Sequence, residues 1–491
     1  MKILSASQIQ EWDAFTIQEE QIPSIDLMER AAMACVENII TYLNSDTHIF
    51  IFCGKGNNGG DGLAIARILL EKGFPVSMYI VELGTLGTTD FQTNLHRLHA
   101  VTKEIHFIQN GFSFPEIASN DIIIDAIVGS GLTRPLEGLY AKLVEQINTT
   151  TATIFSIDLP TGMYCNQSSK GNTIIKAHHT LSFQTMKLCF LARENNAYLG
   201  ALKILDIQLA TAFIEALQAP FDMLEFVQVV ALLKKRNTFS HKGDFGHALM
   251  IAGSSGKMGA ALLSAKACLR AGVGLVTVAI PENTDSMIHI GLPEAMVLHR
   301  DDTFNWDQFA TIGIGPGLGT DINSEKLVYE VLLNFKKAMV IDADALNVIA
   351  KNETWFSMIP KGSILTPHPK EFDRLFGKTD NEFERWQKAK DASLQLQCTI
   401  LVKGHYTLIA TNGKGWFNNT GNAGLAKGGS GDVLTGIITA FLAQGYDASS
   451  AAILGVYVHG LAADLSLNHQ SMESMMASDL IDHLGEAFHL L

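Results

Sequence analysis

The sequence predicts an α/β protein with two domains, each a parallel sheet covered by helices. Two blocks of the chain alternate between buried-strand and amphipathic-helix patterns, and a poorly patterned stretch at 209–226 separates them. This alternation is typical of parallel sheets, because a parallel connection requires a crossover segment, usually a helix. The length of 491 residues exceeds the usual size of one domain and suits two. We therefore expect domains at 1–215 and 216–491, with the boundary near 215.

The individual elements follow from runs of apolar residues and from the turn residues between them. In the first block we predict a helix at 61–72 and strands at 48–54, 75–81, 121–128, 153–158 and around Thr180. In the second block we predict a helix at 259–271, strands at 247–253 and 274–280, and further strands ending at Gly315, Asp342, Thr366 and Lys403. The dipeptide Asn412-Gly413 between two strand-like runs indicates a hairpin, because both residues tolerate the positive φ angles of a tight turn.

Composition and charge narrow the class of function. Hydrophobic residues make up 47% and charged residues 18%, and no uninterrupted apolar run approaches the roughly 18 residues that cross a bilayer. The net charge of −14 disfavours a nucleic-acid partner. The six widely spaced cysteines predict reduced core residues, and the polar N-terminus shows no signal-peptide core. We expect a cytoplasmic protein that acts on small molecules, with no nucleic-acid and no membrane partner.

The segment NAGLAKGGSGDVLTG at 422–436 carries the strongest chemical signal. Glycines at 428, 429 and 431 precede a predicted helix at 433–443, so backbone N–H groups and the helix dipole would bind a phosphate. Asp432 would repel a phosphate, and it suits a site where a hydroxyl beside the phosphate gives up a proton. The structural alternative is an Asp N-cap behind a flexible loop.

The loop at 54–59 has the G-x-G-x-x-G spacing of a dinucleotide-binding turn between a strand and a helix. Asn57, Asn58 and Asp61 crowd the helix start, where a pyrophosphate would need only N–H groups. An acid and two amides offer the hard oxygen ligands that cations prefer. The loop therefore favours a bound cation over ordinary NAD binding.

Two further strand ends carry residues of the same kind. Asp125 leads into the Gly-Ser-Gly turn at 129–131, and Asp158 and Thr161 follow the next predicted strand. Ligands of doubly wound sheets lie beyond the carboxyl ends of the strands, so these loops and Asp61 should converge. Several carboxylates could hold a cation while one remains free as an acid or base. One such loop could be structural, but three at successive strand ends indicate a site.

These motifs give the chain a resemblance to a known family. The first block resembles the NAD(P)H-hydrate epimerase domain in NNGGDG (57–62), DAIVGSGL (125–132) and DLPTG (158–162). The second block resembles the ADP-dependent NAD(P)H-hydrate dehydratase domain in HKGDFGHALMIAGS (241–254), GIGPGLG (313–319), DADALN (342–347), TPHPKEF (366–372) and the segment at 422–436. The order of the domains is that of the bacterial bifunctional nicotinamide nucleotide repair proteins. The resemblance implies a Rossmann-like three-layer sandwich followed by a ribokinase-like α/β domain.

The resemblance also implies an activity, namely repair of NADH and NADPH whose ring has taken up water. The epimerase domain would interconvert the R and S hydrates, NADHX and NADPHX. The dehydratase domain would convert the S form to NAD(P)H with ADP as phosphoryl donor, releasing AMP and phosphate. A potassium ion in the epimerase site, a magnesium ion in the dehydratase site and a homo-oligomeric assembly are implied as well.

Residue roles carry over from the matching motifs, and Asp158 and Asp432 are our choices for proton transfer. The resemblance implies potassium ligands at Asn58, Asp125 and Thr161. It implies hydrate contacts of the epimerase at Asn57, Asn58, Gly59, Gly60, Asp61, Gly129, Ser130, Gly131, Leu132, Thr133, Arg134, Pro135 and Asp158. It implies hydrate contacts of the dehydratase at Ala260, Gly317, His368 and Asp432, and nucleotide contacts at Lys403, Gly404, His405, Tyr406, Thr407 and Gly431.

Alternatives to these roles remain at the level of sequence. His368 between two prolines could be a turn residue, and Lys403 could be a solvated strand end. The sequence departs from the family pattern at Thr161, where a serine is more usual, and after Lys187, where LCF replaces a frequent glycine. The main rival function is a kinase of a small hydroxylated metabolite, since a glycine turn with Asp432 would serve ordinary phosphoryl transfer. A second rival is a nucleotide-binding sensor or scaffold.

Overall fold

The computed structural model describes residues 1–44 and 46–491, which form two compact units. The N-terminal unit contains residues 1–219 with 381–383, and the C-terminal unit contains 220–380 with 384–491. The change of unit at Ala219 and Pro220 falls close to the predicted boundary near 215.

The N-terminal unit is a three-layer sandwich. Its elements are β1 (Lys2–Ile3), α1 (Ala6–Glu20), α2 (Ser24–Ile39), β2 (Ile49–Cys53), α3 (Asn57–Glu71), β3 (Val76–Val81), α4 (Thr89–His99), β4 (Ile105–Ile108), β5 (Ile122–Ala126), α5 (Gly138–Ile147), β6 (Thr153–Ile157), β7 (His179–Phe183), α6 (Leu188–Leu191), α7 (Asn196–Leu199), β8 (Ala201–Leu205) and α8 (Thr211–Ala216). Seven strands in the order β4-β3-β2-β5-β6-β7-β8 pair in parallel throughout.

Strand β2 shows how this sheet is buried on both faces. Ile49 and Ile51 pack into one apolar cluster with residues of α2, α3 and α4, whereas Phe50 and Phe52 pack into another with residues of α5. Successive strand side chains point to opposite faces, so a strand covered by helices on both sides must be apolar at every position. This explains the unbroken run IFIFC.

The C-terminal unit has the same general design. Its elements are β9 (Phe221–Met223), α9 (Phe226–Leu232), β10 (His247–Ile251), α10 (Met258–Arg270), β11 (Leu275–Ile280), α11 (Asp285–Gly291), β12 (Met296–His299), β13 (Thr311–Ile314), α12 (Ile322–Asn334), β14 (Val340–Ile341), α13 (Ala343–Ala350), β15 (Ile364–Leu365), α14 (Pro369–Phe376), α15 (Glu382–Leu396), β16 (Thr399–Val402), β17 (Leu408–Thr411), β18 (Lys414–Phe417), α16 (Ser430–Ala443), α17 (Ala448–Ser466) and α18 (Ala477–Leu490). Its strands follow the order β9-β18-β17-β16-β15-β14-β13-β10-β11-β12.

This second sheet is mixed. The strands from β12 to β16 pair in parallel, and β17 runs antiparallel to both β16 and β18. The predicted hairpin is confirmed, since Asn412 and Gly413 connect β17 to β18 with φ angles of 49° and 74°. Alternate residues of β10 again enter clusters on opposite faces, Met250 with α10 and α16, and Leu249 with α12 and α13.

Two helices that open functional loops begin earlier than predicted. Helix α3 begins at Asn57 rather than at 61, and α16 begins at Ser430 rather than at 433. The apolar periodicity of a sequence indicates where a helix becomes buried, and this point can lie after the first residue of the helix. The first turn needs no i−4 partner for its N–H groups and tolerates polar and glycine residues. The polar residues of both motifs therefore belong to the first turns of helices.

Two other expectations concern the core. All six cysteines are buried and free, which confirms reduced core residues. Among the described residues one helix, α17, is long and apolar enough to cross a membrane, and 67% of that stretch is buried inside the protein. This degree of burial matches its place in the large apolar cluster of the C-terminal unit.

Candidate active sites

The N-terminal unit contains a cavity of about 440 Å³ at the carboxyl ends of its strands. The loops after β2, β5 and β6, the segment between β7 and α6, and one side of α1 surround it. The residues that line it are Ile9, Gln10, Trp12, Asp13, Lys55, Gly56, Asn57, Asn58, Asp61, Thr88, Ile127, Val128, Gly129, Ser130, Gly131, Tyr140, Asp158, Phe183, Gln184, Thr185, Lys187, Ile207 and Leu209. The predicted convergence of the three strand-end loops is therefore present.

A buried ion pair lies in the wall of this cavity. Lys187 Nζ is 2.9 Å from Asp158 Oδ1, and the lysine side chain is only 1% exposed. Asp158 Oδ2 accepts a hydrogen bond from the Ser130 N–H at 2.7 Å, and Lys187 also donates to Ser182 Oγ. Burial alone would lower the pKa of Lys187, but the charge of Asp158 raises it above its usual value. Asp158 has a φ of 67°, a conformation that is costly for a side-chain-bearing residue and is often found at functional sites.

Asp125 lies beneath the cavity rather than in its wall. Its carboxylate is fully buried and accepts hydrogen bonds from Ser156 Oγ at 2.7 Å, the Thr161 N–H at 2.9 Å and Thr161 Oγ1 at 2.6 Å. Burial raises the pKa of Asp125, and the hydrogen bonds from Thr161 and Ser156 oppose that rise. Thr161 Oγ1 also lies 3.1 Å from the Val128 carbonyl oxygen. Several oxygen atoms are thus gathered at one point below the cavity floor.

Asn58 faces the same region from α3. As placed, its amide oxygen faces the carbonyl oxygen of Ile157, and its nitrogen faces the N–H of Gly129. The rotated amide would donate to Ile157 O at 3.2 Å and accept from Gly129 N at 3.3 Å. The rotated orientation gives both amide atoms a partner, so Asn58 joins the end of β6 to the loop after β5.

Two carboxylates in the cavity have no hydrogen-bond or ion-pair partner among the described residues, Asp13 on α1 and Asp61 on α3. Burial raises the pKa of Asp61 well above its usual value, and the charges of Asp158 and Asp13 add to the effect. Burial raises the pKa of Asp13 to about 7, with Asp158 adding to the rise and Lys187 opposing it. Burial therefore disfavours the charged form of both carboxyl groups.

The predicted hydrate contacts of this unit divide into two groups. Those lining the cavity are Asn57, Asn58, Asp61, Gly129, Ser130, Gly131 and Asp158, and those outside its lining are Gly59, Gly60, Leu132, Thr133, Arg134 and Pro135. Gly59 has a backbone reason for its identity, since an added Cβ would lie 1.9 Å from the Gly54 carbonyl oxygen. It allows α3 to approach the loop after β2 closely.

A second cavity, of about 550 Å³, lies in the C-terminal unit. It is lined by His368, Lys403, Gly404, His405, Thr407, Asn418, Thr420, Gly421, Asn422, Ala423, Leu425, Ala426, Lys427, Ser430, Gly431, Leu434, Val456, His459 and Gly460. Five of the predicted nucleotide contacts are therefore in its wall, and Tyr406 is not.

The floor beside this cavity contains a second buried ion pair. Lys403 Nζ is 2.8 Å from Oδ1 of Asp342, whose side chain is 2% exposed, and Thr435 Oγ1 donates to Asp342 Oδ2 at 2.7 Å. Burial alone would raise the pKa of Asp342, but the charge and hydrogen bond of Lys403 hold it below its usual value. Lys403 is therefore a fixed, paired cation, which disagrees with a solvated strand end.

The start of α16 presents backbone donors next to this pair. The first helical bond runs from the Val433 N–H to the Gly429 carbonyl at 3.1 Å, so the N–H groups of 430–432 precede it. Gly429 adopts a φ of 95°, which a residue with a side chain rarely does. An added Cβ on Gly431 would lie 3.6 Å from Lys403 Nζ, so the helix start and the lysine are close. This arrangement suits an anion.

Asp432 is the third residue of α16 and has no hydrogen-bond partner among the described residues. Burial raises its pKa to about 6, the charge of Asp342 adds to the rise, and Lys403 opposes it. Its side chain makes no capping hydrogen bond, so the Asp N-cap alternative is wrong. An unpaired carboxylate with a pKa near neutrality is suited to accept a proton.

His368 has a structural role that the alternative anticipated. It is the N-cap of α14, where its Nδ1 accepts from the N–H groups of Lys370 at 3.1 Å and Glu371 at 3.4 Å. Burial lowers its pKa, as does the charge of Lys403. His368 also lines the cavity, so a ligand contact through the rest of the ring is compatible with the cap.

Three predicted hydrate contacts, Ala260, Gly317 and Asp432, are outside the lining of this cavity, and Ala260 and Gly317 lie together. A Cβ on Gly317, whose φ is 60°, would lie 2.9 Å from Ala260 Cβ. Asp344 lies next to this loop, where its Oδ2 accepts from the Gly319 N–H at 2.8 Å and lies 3.7 Å from Lys257 Nζ.

Sequence reasoning missed several residues of both sites. Asp13 and Lys187 line the first cavity, His459 lines the second, and Asp342 is paired with Lys403 of the second. His459 donates from Nε2 to the Ser430 carbonyl at 3.0 Å, and its burial lowers its pKa to about 4. Asp342 begins the DADALN motif at 342–347, so its position as an acid at the end of a strand could have identified it. Asp13 and His459 lie inside helices, where no local pattern distinguishes them.

Comparison with known proteins matches each unit to a family of domains. Residues 24–189 match the family model described as "YjeF-related protein N-terminus", and residues 248–486 match the one described as "NAD(P)H-hydrate dehydratase". The chain is 33% identical to a bifunctional NAD(P)H-hydrate repair enzyme of Moorella thermoacetica, over 99% of this chain and 96% of the relative. It is also 33% identical to a protein of the same name from Coxiella burnetii, over 97% of each chain.

Solved structures resemble the C-terminal unit. An ADP/ATP-dependent NAD(P)H-hydrate dehydratase of Bacillus subtilis, crystallised with ATP and Mg²⁺, is 35% identical with a TM-score of 0.50, covering 55% of this chain and 98% of that one. A ribokinase-like protein of Enterococcus faecalis is 28% identical with a TM-score of 0.52, covering 56% and 97%. The ribokinase-like fold predicted for this unit is confirmed.

Proposed function

The chain belongs to the family of bifunctional NAD(P)H-hydrate repair enzymes, and on this premise we propose that it repairs hydrated NADH and NADPH in two separate sites. The N-terminal cavity epimerises the R and S hydrates, and the C-terminal cavity dehydrates the S form at the expense of ADP. The products are NAD(P)H, AMP and phosphate. The observation that carries the proposal is the unpaired Asp432 carboxylate beside the free N–H groups of α16 and the Lys403–Asp342 pair.

Dehydration needs the ring hydroxyl to become a better leaving group than hydroxide. Asp432 accepts the hydroxyl proton while the oxygen attacks the terminal phosphorus of ADP, and AMP leaves. The C6–O bond then breaks with its electron pair on phosphate, and loss of a proton from C5 restores the ring double bond. The N–H groups at the start of α16 and the ammonium of Lys403 stabilise the charge on the transferring phosphoryl group.

A magnesium ion fits this site through the nucleotide rather than through a dedicated cage. Mg²⁺ is usually held by one or two carboxylates together with substrate phosphates. Asp342 is saturated by Lys403 and Thr435, whereas Oδ1 of Asp344 has no partner among the described residues, so Asp344 would hold the ion. When bound, the ion would neutralise phosphate charge.

In the epimerase site, Asp158 transfers a proton to or from the ring hydroxyl, and the N–H groups at the start of α3 face the anionic part of the hydrate. A potassium ion fits below the cavity floor. Asn58, Asp125 and Thr161 supply oxygen atoms there. The ion would fix the loops after β5 and β6, which carry Ser130 and Asp158.

Potassium removal should therefore slow epimer exchange and spare dehydration. We expect exchange between isolated R and S hydrates to fall at least 10-fold when KCl is replaced by choline chloride at equal ionic strength, because Asp158 loses its fixed position. The rate of dehydration of pure S hydrate under the same change is the control. Unchanged exchange in choline chloride would contradict the potassium assignment.

The proposed function is tested by the recovery of reduced-nicotinamide absorbance from a mixture of both epimers. We expect full recovery with ADP and none without a nucleotide, while a parallel reaction with ATP identifies the preferred donor. Recovery that stalls once the S form is consumed would contradict the epimerase assignment. No recovery with either nucleotide would favour the kinase alternative, which is identified by a stable phosphorylated product.

We propose a cytoplasmic homo-oligomer that acts on NADHX, NADPHX and ADP without nucleic-acid or membrane partners, and the net charge of −14 supports the first of these two exclusions.

A further inference from the structure

Helix α1 brings an additional carboxylate, Asp13, to the N-terminal cavity. Ser5 and Gln8 form a capping box at its start, and Trp12 and Thr16 are the buried residues in the middle of the helix. Trp12 Nε1 donates to the Ala210 carbonyl at 2.8 Å, and Thr16 Oγ1 accepts from the Ala210 N–H at 3.0 Å. Because Trp12 is 4% exposed and Thr16 is 0% exposed, α1 is fixed on both sides of Asp13. The position of this carboxylate is therefore determined by the fold.

The carboxyl groups of this cavity differ in their partners. Asp158 is held by Lys187 and by the Ser130 N–H, whereas Asp13 and Asp61 make no hydrogen bond or ion pair within the described residues. The titratable and charged groups around Asp13 in the cavity are Lys55, Asp61, Tyr140, Asp158 and Lys187, and Asp90 lines an adjoining depression that Asp13 also reaches. Lys55 is itself paired with Glu82 at 2.5 Å. Both lysines that line the cavity, Lys55 and Lys187, are thus already paired with other carboxylates.

A carboxyl group of this kind has no evident structural role. An unpaired, half-buried carboxylate costs stability, so its presence at the wall of a ligand cavity calls for a functional reason. Burial and the charge of Asp158 raise the pKa of Asp13 to about 7, so both of its protonation states are populated at neutral pH. Burial also raises the pKa of Asp61 well above its usual value, and the charges of Asp158 and Asp13 add to the rise.

We propose that Asp13 is a catalytic residue of the epimerase site, the acid that protonates the ring hydroxyl of the hydrate on the side of α1. This inference rests on the proposed function and extends it, since Asp158 becomes the base of the opposite side. Pairs of carboxyl groups in contrasting environments commonly divide the acid and base roles in this way.

Asp13 gives its proton to the C6 hydroxyl, the C6–O bond breaks with its electron pair on the departing water, and the ring nitrogen forms a C6–N1 double bond. Water then adds to the opposite face of C6, and Asp158 accepts the released proton. The two carboxyl groups regain their starting protonation by exchange with solvent, and the net result is inversion at C6 without a redox change.

The test measures exchange between isolated R and S hydrates in the full-length enzyme without nucleotide, so the dehydratase does not contribute. We expect Asp13→Asn to lower kcat by about 10²- to 10⁴-fold with KM changed less than about 3-fold, because the amide binds but cannot donate an acidic proton. Exchange in both directions must fall by the same factor, since a catalyst leaves the equilibrium unchanged. Glu11→Gln, an exposed change on the same helix, is the matched control.

The pH profile separates a catalytic role from a structural one. In the direction in which Asp13 is the acid it must be protonated, so wild-type kcat in that direction should decline as the pH rises above about 7, and this decline should be absent from the residual activity of Asp13→Asn. Asp13→Glu keeps the acid and should retain the decline even if Asp13→Asn folds poorly. Full activity with an unchanged profile in Asp13→Asn would overturn the inference. Absence of exchange in the wild type would instead overturn the proposed function.

Discussion

We expect Asp432→Asn to lower the rate of ADP-dependent dehydration by about 10²- to 10⁴-fold and to leave epimer exchange unchanged. The amide preserves the size of the side chain but cannot accept the hydroxyl proton, so the oxygen stays a poor nucleophile toward phosphorus. Binding of ADP should persist, because Lys403 and the N–H groups of 430–432 do not depend on this side chain. Dehydration of pure S hydrate and exchange of isolated epimers are measured on the same preparation.

Two further observations sharpen this prediction. Because the pKa of Asp432 is raised to about 6, its carboxylate form is lost below that pH, and wild-type dehydration should fall by about 10-fold for each pH unit below it. Glu330→Gln, an exposed change in the same unit, should alter neither the rate nor its pH dependence. Equal loss of both activities in Asp432→Asn would contradict the two-site arrangement.

The sequence was sufficient to predict the fold, because each unit is built from local patterns. Strand β2 is apolar at every position, Asn412-Gly413 suits only a tight turn, and the strand-end loops carry glycine and acidic residues together. Parallel sheets place their carboxyl ends along one edge, so the loops after β2, β5 and β6 could be predicted to converge. Local chemistry and topology were enough for these features.

The residues that were missed depend on contacts between distant parts of the chain. Lys187 acquires its role only when it is buried against Asp158, and Asp13 only when Trp12 fixes α1 against Ala210. In the second unit, Asp342 is recognisable as a strand-end acid, but its pairing with Lys403 links residues 61 positions apart. Burial sets the pKa of such groups, and burial is a property of the packed fold.

We expect Lys187→Met to reduce epimer exchange by at least 10²-fold and to destabilise the N-terminal unit by about 3–5 kcal/mol, because removal of one partner of a buried pair leaves the other charge uncompensated. Methionine has nearly the length of the lysine stem, so the effect should come from charge rather than from a cavity. Thermal unfolding and exchange of isolated epimers measure the two consequences.

Second substitutions distinguish the causes of this loss. Lys72→Met removes an exposed lysine from the same unit and should change neither stability nor exchange. Adding Asp158→Asn to Lys187→Met removes the uncompensated carboxylate, so the double variant should regain much of the lost stability while exchange stays low. Recovery of stability without activity would show that the pair is kept for chemistry. If Lys187→Met alone retained full exchange, the ion pair would be only structural, and Asp158 would act without it.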